Sequence, residues 1–167
     1  HGGASAPRIW VIGEREQSGR LRPVTAELLG AADALALALE GRVGLALLEP
    51  PAAEEEPARD QRADSEALAR ELGIQASRPR LVLAPATSLG REVVPGIAAR
   101  LGLGLTGDAI GVRLDSEGRL EQLKPAFGGL VVAPILSRTR PEMVTLRPGV
   151  LPAISPDTAR APAELVR

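Results

Sequence analysis

An α/β domain with a mainly parallel sheet flanked by helices, closed by an antiparallel β extension near the C-terminus, is the fold class this chain predicts. Two short apolar runs, VGLALL (Val43 to Leu48) and LVLA (Leu81 to Ala84), are too continuous for one-sided strands and read as strands buried on both faces. Apolar residues return at helical spacing before and after them: Leu28, Ala31 or Ala32, Leu35 and Leu39, then Leu89, Val93, Ile97 and Leu101. After Gly102 the helical spacing stops and short β segments follow one another.

In chain order, HGGASAP at positions 1–7 lacks the charged-then-apolar pattern of a signal peptide and reads as a tag or linker. Arg8 to Gly13 (RIWVIG) is a first strand. Charges around Ser18-Gly19 mark a surface turn or short hairpin. Pro23 suits the first turn of a helix, where its missing N–H costs nothing, and Gly41 closes that helix. Glu49 to Arg62, rich in Pro, Ala and Glu, reads as an exposed connection, and Asp64 or Ser65 can cap a further helix through Leu72, ended by Gly73. The strand at Leu81 meets Pro85 and a polar turn, Ala86-Thr87-Ser88. Thr87 or Ser88 can cap the helix that follows, because a side-chain oxygen there accepts an unpaired N–H of the first turn. Strand, turn and helix together form the repeating unit of a parallel sheet, and such sheets place ligands at that turn. Further strands are expected near Ala109–Leu114, Arg119–Lys124, Val131–Ser137 and Met143–Arg147, with a hairpin turn at Ser116-Glu117-Gly118. The tail from Pro152 reads as a linker.

Composition narrows the function. A length of 167 residues with 44% hydrophobic content supports one domain with a real core. A formal net charge of −1 gives no general attraction to nucleic acid or to an anionic membrane. The aromatic residues are Trp10 and Phe127 alone, so base-stacking platforms are not expected. Without cysteine there is no disulfide, iron–sulfur ligation or thiol chemistry. The single histidine, His1, is terminal, which speaks against a His-centred triad or a His-ligated zinc. No apolar run reaches the length of a membrane span.

Residue chemistry alone yields a non-catalytic domain. Asp108 and Asp115 could pair as acids, but solvated loop carboxylates are commoner. Thr87 and Ser88 have no evident base, which favours helix capping over nucleophilic attack. Glu54-Glu55-Glu56 could hold a cation, with a solvated loop preferred. Gly128-Gly129 either lets a backbone approach a ligand or bends between strands, and composition favours the bend. Arg140 and Arg147 could meet a carboxylate or phosphate, with surface solvation at least as good a reading. No G-x-G-x-x-G or P-loop occurs.

Four segments, in order, carry a family resemblance. Val11 to Ala36 (VIGEREQSGRLRPVTAELLGAADALA) resembles the opening of the electron-transfer flavoprotein α subunit: a strand ending at an acid, a small turn, a Pro-Thr helix start and an Ala-rich helix. Leu81 to Asp108 is similar to its strand, A-T-S, G-[RK]-[DE] and A-A-[RK]-L series, followed by L-T-x-D. Lys124 to Gly129 (KPAFGG) and Arg140 to Val150 (RPEMVTLRPGV) resemble the closing strands, especially in the prokaryotic branch related to electron-bifurcating members. Two departures stand out. Between Val43 and Leu81 the family usually has an additional strand and helix, whereas here Glu49 to Arg62 is short and proline-rich. The position after the Gly-Gly turn, commonly Asn, is Leu130, so that residue's hydrogen bonding is not carried over.

The resemblance implies a Rossmann-like fold of the adenine-nucleotide α-hydrolase kind over residues 8–151, with 152–167 a linker toward an FAD domain. The family's G-Q-T-G and I-S-G-x-x-Q-H flavin motifs do not occur here, so FAD is expected in the full-length complex and not on this chain alone. The implied role is an electron-carrier component, not an enzyme, with no catalytic or metal residues. It would be a cytoplasmic scaffold docking a β-like subunit, in a system serving dehydrogenases and a quinone oxidoreductase or ferredoxin-type partner, with neither nucleic acid nor membrane involved. Phe127, Gly128, Gly129, Arg140 and Arg147 would face that subunit. The alternative is an adenine-nucleotide module binding AMP at Thr87, Ser88 and Gly90, where the helix N–H groups could hold phosphate.

Overall fold

The computed structural model describes residues 8–48 and 79–154. The expected connection at 49–62, the Glu54–Glu56 run, the helix ending at Gly73, the leading segment 1–7 and the tail beyond 154 lie outside the described residues. In chain order the elements are β1 (Arg8–Glu14), α1 (Pro23–Ala38), β2 (Arg42–Leu48), β3 (Leu81–Pro85), α2 (Ser88–Leu101), β4 (Leu105–Ala109), β5 (Gly111–Leu114), β6 (Leu120–Ala126), a 3-10 turn (Phe127–Gly129), β7 (Val131–Ile135) and β8 (Glu142–Leu146). Five strands form one sheet in the order β2-β1-β3-β8-β4, parallel throughout. The other three form an antiparallel sheet in the order β5-β6-β7.

Alternation along each central strand divides the core into two layers, as a sheet covered on both faces requires. Ile9 and Val11 of β1 join Leu81 and Leu83 of β3 and Val144 and Leu146 of β8 against Leu28, Ala32, Leu35 and Ala36 of α1. Trp10 and Ile12, with Val82, Ala84 and Met143, face Val93, Val94, Ile97 and Ala98 of α2 on the other side. Pro23 stands at the start of α1, and the Gly41 N–H returns to the Ala36 carbonyl at 2.9 Å, so this helix begins and closes where its residues predict. Thr87 is the residue that caps α2, its hydroxyl accepting from the Gly90 N–H at 3.0 Å.

Two strand assignments change. The stretch expected as one strand near Ala109–Leu114 is two, because the chain changes sheets there. Asp108 takes a left-handed φ of 59°, the register against β8 shifts between Thr106 and Ala109, and the Ile110 N–H turns to the Leu123 carbonyl at 2.8 Å. The closing strand, β8, does not belong to the β-rich extension. It inserts between β3 and β4 in the parallel sheet, with all five residues buried.

The antiparallel sheet lies across the α1 side of the core. Leu120 of β6 is buried in the α1 layer, Gln122 donates to Glu142 at the start of β8 at 3.1 Å, and the Lys124 ammonium donates to the Gly107 carbonyl of the outer strand β4. Each step along β6 thus meets a strand nearer the sheet edge, and the hairpin of β6 and β7 continues past it as an arm. After β8 the chain returns to α1. Buried Glu27 accepts the Gly149 N–H on both carboxylate oxygens, at 3.1 and 2.9 Å, and the Leu151 N–H at 3.4 Å. Ile154 donates to the Ala26 carbonyl at 3.4 Å, so packing against α1 continues past the expected boundary at 151.

Candidate functional site

The carboxyl end of β1 is where the sheet's connections diverge: α1 leads to β2 on one side, while β3 lies on the other. Open α/β sheets leave a crevice at such a reversal. Here it is filled by Glu14, the last residue of β1, which is 1% exposed. Its carboxylate accepts from the Thr87 hydroxyl and, at 2.8 Å, from Arg22 Nη1. The Glu14 backbone is held as firmly: its N–H donates to Thr25 Oγ1 at 2.8 Å, and the same hydroxyl donates to the Glu14 carbonyl at 2.9 Å. One acid therefore joins the starts of both helices, and its charge lies beside the N-terminus of α2, where the helix dipole favours it.

A phosphate at the turn after β3 would need free N–H donors and no competing negative charge. The Gly90 N–H is taken by Thr87, the Thr87 hydroxyl by Glu14, and Ser88 is exposed. Gly90 is required for a packing reason: a Cβ there would sit 1.9 Å from the Pro85 carbonyl oxygen. At this turn the Gly90 N–H and the Thr87 hydroxyl are therefore already engaged within the fold.

Asp108 and Asp115 are not paired acids, since each is held by a different arginine. Arg147 grips Asp108 through two bonds, Nη2 to Oδ2 at 2.6 Å and Nε to Oδ1 at 3.3 Å, and Arg91 adds a third at 3.2 Å. The hydrogen bond from Arg147, with the charges of Arg147 and Arg91, holds the Asp108 carboxyl below its ordinary range against the opposing effect of burial. Asp115 closes the β5–β6 turn, accepting from the Arg119 side chain at 2.7 Å and from the N–H groups of Glu117 and Arg119, both at 2.8 Å. These bonds, that from the Arg119 side chain first, also lower its pKa. Among the described residues no cluster of acids and histidines could hold a metal.

The arm offers different chemistry. Phe127, Gly128 and Gly129 form its tip, with Phe127 81% and Leu130 88% exposed. Gly128 at φ 69° and Gly129 at φ 92° adopt the left-handed backbone that a tight reversal needs. Val131, Val132, Ile135 and Leu136 continue the exposed apolar surface along β7, which is the outer strand of its sheet. The five residues expected to face a partner do not lie on one surface. Arg140 precedes β8, where it pairs with Glu142, and Arg147 follows it, bound to Asp108. The strand between them sets the two arginines roughly 20 Å apart.

Sequence reasoning missed Glu14, Arg22 and Glu27. A signal for Glu14 was present, an acid terminating an apolar strand. Its partner Thr87, however, is 73 residues away, beyond the reach of any local pattern.

The model of the electron transfer flavoprotein domain family matches residues 60–166. The chain is 35% identical to the electron transfer flavoprotein subunit alpha of Clostridium acetobutylicum over 164 residues, covering 85% of this chain and 48% of that protein. It is also 35% identical to protein FixB of Clostridium saccharobutylicum over 176 residues, covering 95% of this chain and 52% of that one. Over a shorter stretch of 83 residues, 48% of this chain and 25% of the relative, it is 47% identical to the electron transfer flavoprotein subunit alpha of Thermoanaerobacterium thermosaccharolyticum. The chain spans about half the length of the α-subunit and FixB proteins that it matches along most of its own length. With a parallel α/β sheet and an added three-stranded antiparallel sheet as its framework, this chain belongs to the electron transfer flavoprotein domain family.

Proposed function

We propose that this chain is the amino-terminal scaffold and docking domain of an α-type subunit in an electron-transfer flavoprotein, pairing with a β-like subunit. FAD, carried elsewhere in the assembly, would pass electrons between dehydrogenases and an acceptor such as a quinone oxidoreductase or a ferredoxin-type protein. One observation carries the reading: a sheet sealed on both faces holds out a hairpin whose apolar side chains have no cover among the described residues. Exposed patches of this kind mark interaction surfaces. A relative 39% identical over 75 residues is the subunit LctC of an NAD(+),ferredoxin lactate dehydrogenase from Acetobacterium woodii, which agrees with membership of a multi-subunit redox assembly. Among the described residues no helix is long and apolar enough to cross a membrane, and the proposed setting is the cytoplasm.

On this reading Phe127, Gly128 and Gly129 touch the partner, whereas Arg140 and Arg147 act mainly within the fold. The test is size-exclusion elution of the chain mixed with its cognate β-like subunit. A shift to a joint peak is expected, and its loss in Phe127→Asp with Leu130→Asp. Separate elution of the unaltered pair defeats the docking reading. Calorimetry with FAD and AMP should give no heat, and a saturable AMP signal would favour the nucleotide module at Thr87, Ser88 and Gly90 instead.

A further inference from the structure

From Gln122 to Pro141 the chain carries no acidic residue, yet it includes Lys124, Arg138 and Arg140, in a protein of formal net charge −1. That span is most of β6, the exposed tip, β7 and the return toward β8. Arg140 is paired with Glu142, and Arg138 is exposed. Lys124 fixes the base of the arm through a backbone carbonyl, that of Gly107, so its charge is not neutralised by that contact. The next residue along β4 is Asp108, where two guanidinium groups, Arg91 and Arg147, share one carboxylate. The base of the arm thus carries net positive charge next to its exposed apolar side chains.

We infer that the arm recognises an apolar protein surface edged by carboxylates. Phe127, Leu130, Val131 and Val132 fill the apolar part, and Lys124 and Arg138 meet the acidic rim. This rests on the docking reading above and specifies its partner's chemistry. A protein fits better than a lipid surface. Among the described residues β7 pairs on one side only, and its other edge can accept a partner strand, whereas hydrocarbon would leave those backbone groups unsatisfied.

Charge complementarity at a rim acts chiefly on association rate and its salt dependence. Association with the β-like subunit is therefore measured at about 0.05 M and about 0.5 M NaCl, concentrations that bracket strong and weak screening. Arg138→Glu and Lys124→Glu should each weaken binding about 10-fold at low salt, with the difference shrinking at high salt. Arg20→Glu, the same charge change in the turn after β1, should bind as the unaltered chain does. Far-UV circular dichroism confirms that each variant is folded, and exposed Arg138 makes its reversal the safer of the two. Salt-insensitive binding with full affinity in both arm reversals, while Phe127→Asp still disrupts it, overturns the acidic rim and leaves docking intact. Absence of binding by the unaltered chain instead removes docking itself. Sedimentation with phosphatidylserine vesicles in place of the subunit would assign the arm to lipid and also overturn the inference.

Discussion

LVLAP in β3 and VVAPI in β7 are nearly the same strand in composition: one proline, one alanine and three branched aliphatic residues each. All five residues of β3 are buried, and four of five in β7 are exposed. Neighbours decide the difference. β3 has a paired strand on each side and a helical layer over each face, while β7 is an outer strand on an arm that leaves the core behind. The same apolar material holds the fold together in one place and remains free for a partner in the other. An apolar run therefore predicts a strand without saying what will cover it.

The sharpest test of that contrast lies where β3 meets α2. Gly90→Ala forces a Cβ into the Pro85 carbonyl and should cost upward of about 3 kcal/mol, with a collapse in the thermal midpoint as the readout. Matched truncations come next. Leu83→Ala in β3 should lose about 3 kcal/mol in urea titration, against under about 0.5 kcal/mol for Val132→Ala in β7. Equal losses would mean that the arm is covered within the chain and would break the comparison. Glu14→Ala should cost about 2 kcal/mol, because the part-buried Thr87 hydroxyl loses its acceptor. Half-exposed Arg22 regains water, and Thr25 keeps its bonds to the residue-14 backbone.

The smallest effect is a pH dependence at the edge near the arm. The Asp108 carboxyl is lowered in the folded state from its ordinary value of 3.8, so its contribution is fully present above that value. It is lost as pH falls through the lowered folded value. Asp108→Asn should therefore narrow the stability gap between pH 6 and pH 3 relative to the unaltered chain, as read from paired thermal melts. A gap of unchanged size would show that the arginines contribute nothing there.

What the sequence made legible was local. Pro23 at a helix start, the Thr87 cap, the buried apolar run of β3 and the turn before β6 all follow from short-range chemistry, and the structure has them there. The family resemblance was legible for the same reason, since it rested on short motifs kept in order. What depends on distant partners was not. The run expected to be buried on both faces in β2 forms an outer strand in which Ala46 and Leu48 alone are buried. The sequence predicts a strand near Met143, but nothing in EMVTL says that it would slide between β3 and β4 instead of extending the hairpin. The break at Ile110 was equally hidden, because it comes from a left-handed Asp108 whose N–H is held by Thr145 Oγ1 at 2.9 Å, 37 residues away. At the candidate site the exposed tip was within reach of sequence reasoning, whereas the separation of Arg140 from Arg147 needed the position of β8.

Glu27 has a mechanical consequence. Because a side chain of α1 grips the backbone at Gly149 and Leu151, the heading on which the polypeptide sets out after β8 is governed by a helix more than a hundred positions upstream. Any partner that tilts α1 would carry the backbone at Gly149 and Leu151 with it, as a tiller turns a rudder.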